Sequence, residues 1–199
     1  MYDILIATHN KNKAREFGQL LKDTKFQFKT FMDIGYDKEI VEDGKTFEEN
    51  ALIKARVAAS MGYIGLADDS GLCVDYLNGA PGVYSARYAG EPCDDENNND
   101  KLLDALKDVP NEERTARYVC VIACVTPEGE EFCCKGVCSG LIIRERRGKG
   151  GFGYDPLFFF PEFNKTFAEI SPEEKNSVSH RAIALKLFES EFKRRLNII

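Results

Sequence analysis

The segment that follows the first apolar run of the chain offers groups that could hold phosphate. Thr8-His9-Asn10-Lys11-Asn12-Lys13 comes directly after Ile4–Ala7, which is typical of a buried strand. A hydroxyl, an amide and an ammonium group would lie there beside the free backbone N–H groups at the start of a helix, which attract phosphate. The alternative is that Thr8 or Asn10 only caps this helix.

A pair of neighbouring carboxylates, Asp68 and Asp69, follows the apolar run Ile64–Ala67 and precedes Ser70. We interpret this run as a short strand that ends abruptly at the pair. Adjacent carboxylates repel each other and disfavour a strand, so either Mg²⁺ or a role as a buried base compensates for the placement, or an ordinary exposed turn accommodates the pair. Mg²⁺ would suit, since it binds one or two carboxylates together with substrate phosphates. Further carboxylates for such a site lie in the preceding acidic loop at Glu39, Glu42 and Asp43.

A glycine-rich segment, Gly148–Gly153, formally matches the dinucleotide-binding pattern G-x-G-x-x-G. Tyr154-Asp155-Pro156 follows at once and prevents the helix which that pattern requires, so we reject this interpretation. The segment instead predicts a permissive loop that presents Phe152, Tyr154 and Asp155 to a ligand. An aromatic ring beside a carboxylate suits a nucleobase, whereas a β-bulge next to core aromatics is the alternative.

The start of the predicted last helix holds Ser179-His180-Arg181, and Lys175 precedes it by about one turn. Neighbouring residues of a helix point in different directions, so Ser179 and His180 do not form the Ser-His pair of a hydrolase. Lys175, His180 and Arg181 are better suited as donors towards an anion or a carbonyl oxygen.

The hydrophobic periodicity predicts the elements that position these residues. Two helix starts are marked by capping boxes, at Thr46 and at Ser171. Strands that alternate with helices, followed by a hairpin, predict an α/β fold with a mixed twisted sheet flanked by helices, in which residues 1–199 form one domain. Besides the runs named above, the predicted elements are helices 11–21, 46–61, 94–107 and 178–196, and strands 26–31, 115–126, 131–141 and 157–160.

Composition excludes several classes of function. The chain has a formal net charge of −6 and is 43% hydrophobic, which supports a packed core and argues against a DNA coat or a polybasic membrane binder. We find no run of the ~20 apolar residues that a membrane span requires, and no secretory signal. We therefore expect a cytoplasmic protein whose seven cysteines are reduced and bind no metal, because paired C-x2-C spacings are missing.

Six segments of the sequence resemble the inosine triphosphate pyrophosphatase family, the XTP/dITP diphosphatases. Each segment alone is weakly specific, but six in the family's order and spacing, from Ile4 to the last helix, are very specific. The segments are Thr8–Lys13, Glu42–Ala51, Ala67–Leu72, Gly79–Tyr88, Gly150–Pro156 and Glu174–Arg181.

The resemblance implies two lobes around a central substrate cleft, a homodimer and a Mg²⁺-dependent enzyme. The enzyme would cleave the non-standard purine nucleotides ITP, dITP and XTP between the α- and β-phosphates, which releases the monophosphate and pyrophosphate. Asp69 would activate the attacking water and bind the metal with Glu42. The implied substrate-binding residues are Thr8, His9, Asn10, Lys11, Asn12, Lys13, Lys54, Ser70, Phe152, Gly153, Tyr154, Asp155, Lys175, His180 and Arg181.

Within that set, the resemblance implies a division of roles. Lys13 and Lys54 would neutralise the triphosphate, and Phe152 would stack on the base. Asp155, Lys175, His180 and Arg181 would read the edge of the base, where a cationic donor favours the C6 oxygen of hypoxanthine and xanthine over the amino group of adenine.

The chain departs from the family pattern at two places. His9 stands where many members have Gly, and Asp43 follows Glu42 where others have Thr. The second departure leaves open whether Asp43 or Glu39 shares the metal with Glu42.

Two other functions remain open on the sequence alone. The chain could be a house-cleaning pyrophosphatase for other modified nucleotides, or a nucleotide-binding sensor without catalysis. A nucleic-acid-binding module is disfavoured, because the sequence has neither a basic stripe nor clustered surface aromatics.

Overall fold

The structure is a computed structural model that describes residues 3–21 and 27–195. Phe26 and Leu196, which bound a predicted strand and the last predicted helix, lie outside these residues. Helices are α1 (Lys11–Leu21), α2 (Phe47–Ala59), α3 (Asp95–Ala105), α4 (Pro172–Val178) and α5 (His180–Arg195). Strands are β1 (Asp3–Ile6), β2 (Gln27–Thr30), β3 (Ile64–Val74), β4 (Thr115–Val125), β5 (Glu131–Ile142), β6 (Phe158–Phe160) and β7 (Lys165–Thr166).

The strands of the described residues form one sheet in the order β2-β1-β3-β4-β5-β6-β7. β1 is parallel to both of its neighbours, since Ile4 lies opposite Phe28 on one side and Ile64 on the other. β6 is antiparallel to β5 and to β7. This mixed sheet with flanking helices confirms the predicted α/β fold. The same described residues contain no helix long and apolar enough to cross a membrane.

The chain divides into two compact units, each assembled from separated segments. The first unit contains the described residues up to Asp69, then Cys120–Gly136, and the described residues from Arg181 onwards. The second unit contains Ser70–Val119 and Val137–His180. That residues 1–199 act as a single domain stays a prediction.

In the first unit, both faces of β1 and of the first part of β3 are buried. Side chains alternate between the two faces of a strand, so Ile4 and Leu5 of β1 belong to different cores. The first core also contains Phe17 of α1 and Phe188 of α5. The second is completed by small side chains of α2, such as Ala55. Helices therefore cover both faces of β1, which lets this short strand be almost wholly apolar.

Strand β3 continues through the acidic pair, so the prediction that this strand ends at Asp68 is wrong. Alternation places Asp68 on the same face as Leu66, whose core includes α1 and α5, and Asp69 on the same face as Ala67, whose core includes α2. β3 also lies very close to α2, because a Cβ at Gly65 would be 2.0 Å from a backbone oxygen of α2. The two carboxylates therefore meet different helices.

The second unit has one apolar core, which includes Leu72, Tyr118, Phe158 and Phe167. Helix α4 starts with the predicted capping box: the Ser171 side chain accepts from the backbone N–H of the third helical residue, whose own side chain bonds back to Ser171. This local signal confirms the helix start. α4 ends before Ser179, and α5 begins with His180.

Candidate active site

The turn between β1 and α1 contains the first group of predicted site residues. Asn10 caps α1, because its Oδ1 accepts from the backbone N–H groups of Asn12, at 2.9 Å, and Lys13, at 3.2 Å. Thr8 Oγ1 accepts from the backbone N–H of Asn10 at 3.2 Å. Thr8 and Asn10 therefore shape the turn, as the capping alternative expected, and the exposed Lys11 begins the helix.

His9 links this turn to a segment further along the chain. Its Nε2 lies 3.0 Å from the carbonyl oxygen of Tyr36, and the two rings are stacked with centroids 6.1 Å apart. Phe31, which is fully buried, contacts both rings. The side chain that replaces the family's usual glycine is thus held in place.

Asp68 is enclosed by cations. Its Oδ2 lies 3.1 Å from Lys13 Nζ and 3.0 Å from a guanidinium nitrogen of Arg181, and its side chain is only 1% exposed. Arg181, equally buried, also bonds to Glu16 of α1. Burial would favour the neutral acid, but Lys13 and Arg181 outweigh it and hold the pKa of Asp68 well below its usual value. Asp68 is therefore a buried anion locked into an ion-pair network.

Asp69 has weaker partners and is more accessible. Lys54 Nζ lies 3.6 Å from its Oδ1 and Asn50 Nδ2 lies 3.3 Å from its Oδ2, while 12% of its side chain is exposed. Lys54 makes a shorter contact, of 2.6 Å, with Glu42 of the acidic loop. Burial raises the pKa of Asp69 despite the nearby Lys54 and Lys13. The ammonium of Lys54 thus contacts two carboxylates. Burial would lower the pKa of Lys54, but the charges of Asp69 and Glu42 oppose burial and the pKa is raised.

We call these first-unit residues the aspartate cluster: Lys13, Glu16, Glu42, Asn50, Lys54, Asp68, Asp69 and Arg181. Arg181 was expected among the donors that read the base, but its contacts in the structure are with Asp68 and Glu16. Asn50 and Glu16 were not assigned a role from the sequence. A signal for Asn50 existed, because an amide one turn before Lys54 shares its helix face.

The second unit holds an aromatic cluster, defined as Tyr118, Phe152, Asp155, Phe167, Lys175 and His180. At its centre is an ion pair in which Lys175 Nζ lies 2.7 Å from Asp155 Oδ2. Lys175 Nζ also lies 4.8 Å from the ring centroid of Phe152, within cation–π distance. The backbone N–H of Phe152 donates to Asp155 at 3.0 Å. One carboxylate therefore holds both a cation and an aromatic side chain.

The loop that carries Phe152 passes very close to the side chain of Asp155. Gly151 has φ +72° and a Cβ there would lie 2.1 Å from Asp155 Oδ2, so glycine is required at this point of the loop.

Tyr118 stacks on His180 with ring centroids 4.7 Å apart, and its hydroxyl lies 3.3 Å from Asp155 Oδ1. Burial raises the pKa of Tyr118 well above its usual value, so it stays a hydroxyl. Tyr118 was not identified from the sequence, because an aromatic residue within a predicted strand is typical of a core position.

Three other predicted residues of the second unit have different surroundings. Tyr154 is buried in the core and its hydroxyl donates to the carbonyl of Ser85 at 2.8 Å. Gly153 is bonded to α3 through both backbone groups, to Asp95 and to Asn99. Ser70 follows Asp69 on β3 and is half-buried. Tyr154 and Gly153 therefore brace the loop that carries Phe152.

The seven cysteines are all free. Burial raises the pKa of Cys124 to about 12 and that of Cys133 to about 11, so these thiols stay protonated at neutral pH.

Comparison with known proteins places the chain in a family. Residues 4–191 match the Ham1 family. A dITP/XTP pyrophosphatase of Desulforamulus reducens is 53% identical over 184 residues, or 92% of either chain, and one of Clostridium perfringens is 48% identical over 97% of this chain and 98% of its own.

Comparison with solved structures indicates the same family. The Staphylococcus aureus Ham1 protein is 41% identical with a TM-score of 0.87, covering 97% of this chain and 99% of its own. A HAM1 protein from Coxiella burnetii is 43% identical with a TM-score of 0.88, covering 98% and 100%. The resemblance found in the sequence is thus confirmed, and this chain belongs to the Ham1 family.

Proposed function

We propose that this protein hydrolyses non-standard purine nucleoside triphosphates, dITP, ITP and XTP, to the monophosphate and pyrophosphate. Curated relatives with about half of their residues identical over nearly the whole chain bear the name dITP/XTP pyrophosphatase. The structural observation that carries the proposal is the contact of one ammonium group, on Lys54, with the carboxylates of Glu42 and Asp69.

The donor set at this point fits Mg²⁺. Oxygen ligands suit this ion, which takes one or two carboxylates and completes its shell with water and phosphate. The described residues contain no group of three or more His, Cys, Asp or Glu that could hold a metal unaided, so the substrate would supply part of the shell. Glu42 is favoured over Asp43 and Glu39 as the partner of Asp69, because only Glu42 shares Lys54 with it among the contacts of the described residues. When bound, the ion would offset triphosphate charge and acidify a water molecule.

Asp69 is the proposed proton acceptor. A carboxylate of ordinary pKa is a weak base, and the raised pKa of Asp69 makes it a stronger one at neutral pH. It would take a proton from the attacking water while the α–β phosphoanhydride breaks and the bridging oxygen leaves with pyrophosphate.

The remaining first-unit residues would bind the phosphates. Lys13 and Lys54 carry positive charge, and the positive end of the α1 helix dipole adds to it. Asp68 would act indirectly. Its ion pair with Lys13 would hold this ammonium in place before the substrate binds.

The aromatic cluster is the proposed base-binding region. Phe152 would stack on the purine, and its ring is steadied by Lys175 and by the bond to Asp155. Lys175 and His180 would donate to the oxygen at C6. Asp155 is only 2% exposed and already accepts from Lys175, Phe152 and Tyr118, so we assign it to positioning these groups.

The proposal also covers assembly and location. We propose a homodimer in the cytoplasm, following the family resemblance and the seven free thiols, which suit a reducing compartment. Light scattering of the purified protein should give twice the mass of one chain, and the mass of a single chain would contradict the dimer.

A substrate panel tests the proposed activity. Purified protein with Mg²⁺ should cleave dITP and XTP with kcat/KM at least about 100-fold above that for dATP, because a site that donates to the C6 oxygen rejects the amino group of adenine strongly. Equal cleavage of dTTP or dUTP would favour the alternative house-cleaning activity on other nucleotides. Tight ITP binding without turnover would favour a sensor.

A further inference from the structure

Asn50, on the first turn of α2, is a buried amide that contacts two parts of the aspartate cluster. It is 2% exposed, so both ends of its carboxamide need partners. Its Oδ1 accepts from the backbone N–H of Gly44 at 2.9 Å, and its Nδ2 donates to Asp69 Oδ2 at 3.3 Å. The bond to Gly44 fixes which end of the amide faces Asp69, since only the oxygen can accept from a backbone N–H.

The backbone around Gly44 is shaped to admit this side chain. A Cβ at Gly44 would lie 2.6 Å from Asn50 Oδ1 and 2.7 Å from the Cβ of Glu49. Any larger residue would therefore displace the amide. The next residues reinforce the same turn, because Glu49 Oε2 accepts from the backbone N–H groups of Lys45, at 2.6 Å, and Thr46, at 3.1 Å.

The two contacts of Asn50 join the acidic loop to the strand that bears Asp69. The loop that carries Glu42 ends at Gly44, which Asn50 holds. Asp69 is held through Oδ2 by Asn50, which leaves Oδ1 towards Lys54. Each oxygen of this carboxylate thus has its own partner, and the rotation of the carboxylate about its side chain is set.

We propose that Asn50 is a positioning residue for the reaction: its amide fixes the orientation of the Asp69 carboxylate and the place of the Glu42 loop. This inference rests on the proposed function, because it assumes that Asp69 and Glu42 act on the substrate. Positioning of this kind matters, since a displacement of about 1 Å at a reacting group can cost about 100-fold in rate.

Two substitutions of different character test the role. Asn50→Asp is nearly isosteric and keeps the acceptor for Gly44, but it places a carboxylate oxygen against Asp69. Asn50→Ala removes both contacts. We expect kcat for dITP to fall at least about 30-fold in both variants while KM changes by less than about threefold, because phosphate and base contacts remain.

The double variant Asn50→Asp/Asp69→Asn separates positioning from folding. The exchange restores a donor opposite an acceptor, so the thermal midpoint, lowered by about 3 °C or more in Asn50→Asp alone, should return towards the wild-type value. Turnover should not recover, because the carboxylate has moved from position 69 to position 50. The midpoint is a readout that does not depend on catalysis.

Asn98 of α3 provides the matched control. It is also a buried helix asparagine, and its amide bonds to backbone groups, of Ala86 and Ala89. Asn98→Asp should lower the thermal midpoint without the fall in kcat. The inference is overturned if wild-type protein turns over dITP while both Asn50 variants keep kcat within twofold. If wild-type protein itself does not turn over dITP, the proposed function has failed instead.

Discussion

Asp68 and Asp69 are neighbours on one strand, yet their surroundings differ in almost every respect. Asp68 meets two cations within 3.1 Å and is 1% exposed, whereas Asp69 meets one ammonium at 3.6 Å and an amide, and is 12% exposed. The pKa of Asp68 is lowered and that of Asp69 is raised. The cause is the two-residue period of the strand, which turns one carboxylate towards α1 and α5 and the other towards α2. Identical residues at adjacent positions can therefore serve structure and chemistry separately.

The largest expected effect is the loss of turnover on changing Asp69. Asp69→Asn should lower kcat for dITP by about 10³-fold or more, because it removes the proton acceptor and a proposed metal ligand. The free energy of unfolding should stay near the wild-type value, since a raised pKa means that burial costs the charged form. Steady-state kinetics measure kcat, and urea unfolding measures the free energy of unfolding. An active Asp69→Asn protein would contradict the catalytic role that distinguishes Asp69 from Asp68.

Changing Asp68 should mainly lower the free energy of unfolding, whereas changing Asp69 should mainly lower kcat. Asp68→Asn leaves Arg181 and Lys13 without their shared anion, and breaking a buried ion pair costs about 3 kcal/mol or more. The urea midpoint should fall accordingly. Thr166→Val, in the second unit, controls for the loss of a buried hydroxyl, which donates to the carbonyl of Arg147. An unchanged urea midpoint for Asp68→Asn would contradict the structural role.

Substitutions of Lys54 should distinguish the two aspartates further. Lys54→Met should lower kcat/KM for dITP by about 100-fold, because Lys54 contacts both Asp69 and Glu42. Lys54→Arg keeps the charge but not the geometry, so it should recover only part of the loss. Equal activity of the Met variant and the wild-type protein would show that this ammonium has no part in the reaction.

The smallest expected effect is a difference in acid stability between the wild-type protein and Asp68→Asn. The pKa of Asp68 is lower in the folded than in the unfolded protein, so its contribution is complete above its unfolded value, near ~3.9, and is lost as the pH falls below that value. The wild-type protein should therefore lose stability below that pH more steeply than Asp68→Asn. Parallel stability curves for the two proteins would contradict the lowered pKa.

Local signals were sufficient for most of the fold. Capping boxes at Thr46 and Ser171 mark the starts of α2 and α4, and the hydrophobic spacing of 11–21 gives α1 with the observed bounds. These features depend on residues within a few positions of each other, which is why a sequence pattern can show them.

The errors arose where the decisive partner is distant in sequence. β3 continues through Asp68 because Arg181, 113 positions later, compensates the charge. Tyr118 lies 37 positions from Asp155, and its hydroxyl contact there depends on how the second unit folds. Which residues carry chemistry could be proposed from their types, but their partners could not.

The identity of the products tests the central claim most directly. Wild-type protein with dITP and Mg²⁺, followed by phosphorus NMR or ion-exchange chromatography, should yield dIMP and pyrophosphate in equal amounts. Release of orthophosphate and dIDP would contradict the proposed cleavage between the α- and β-phosphates.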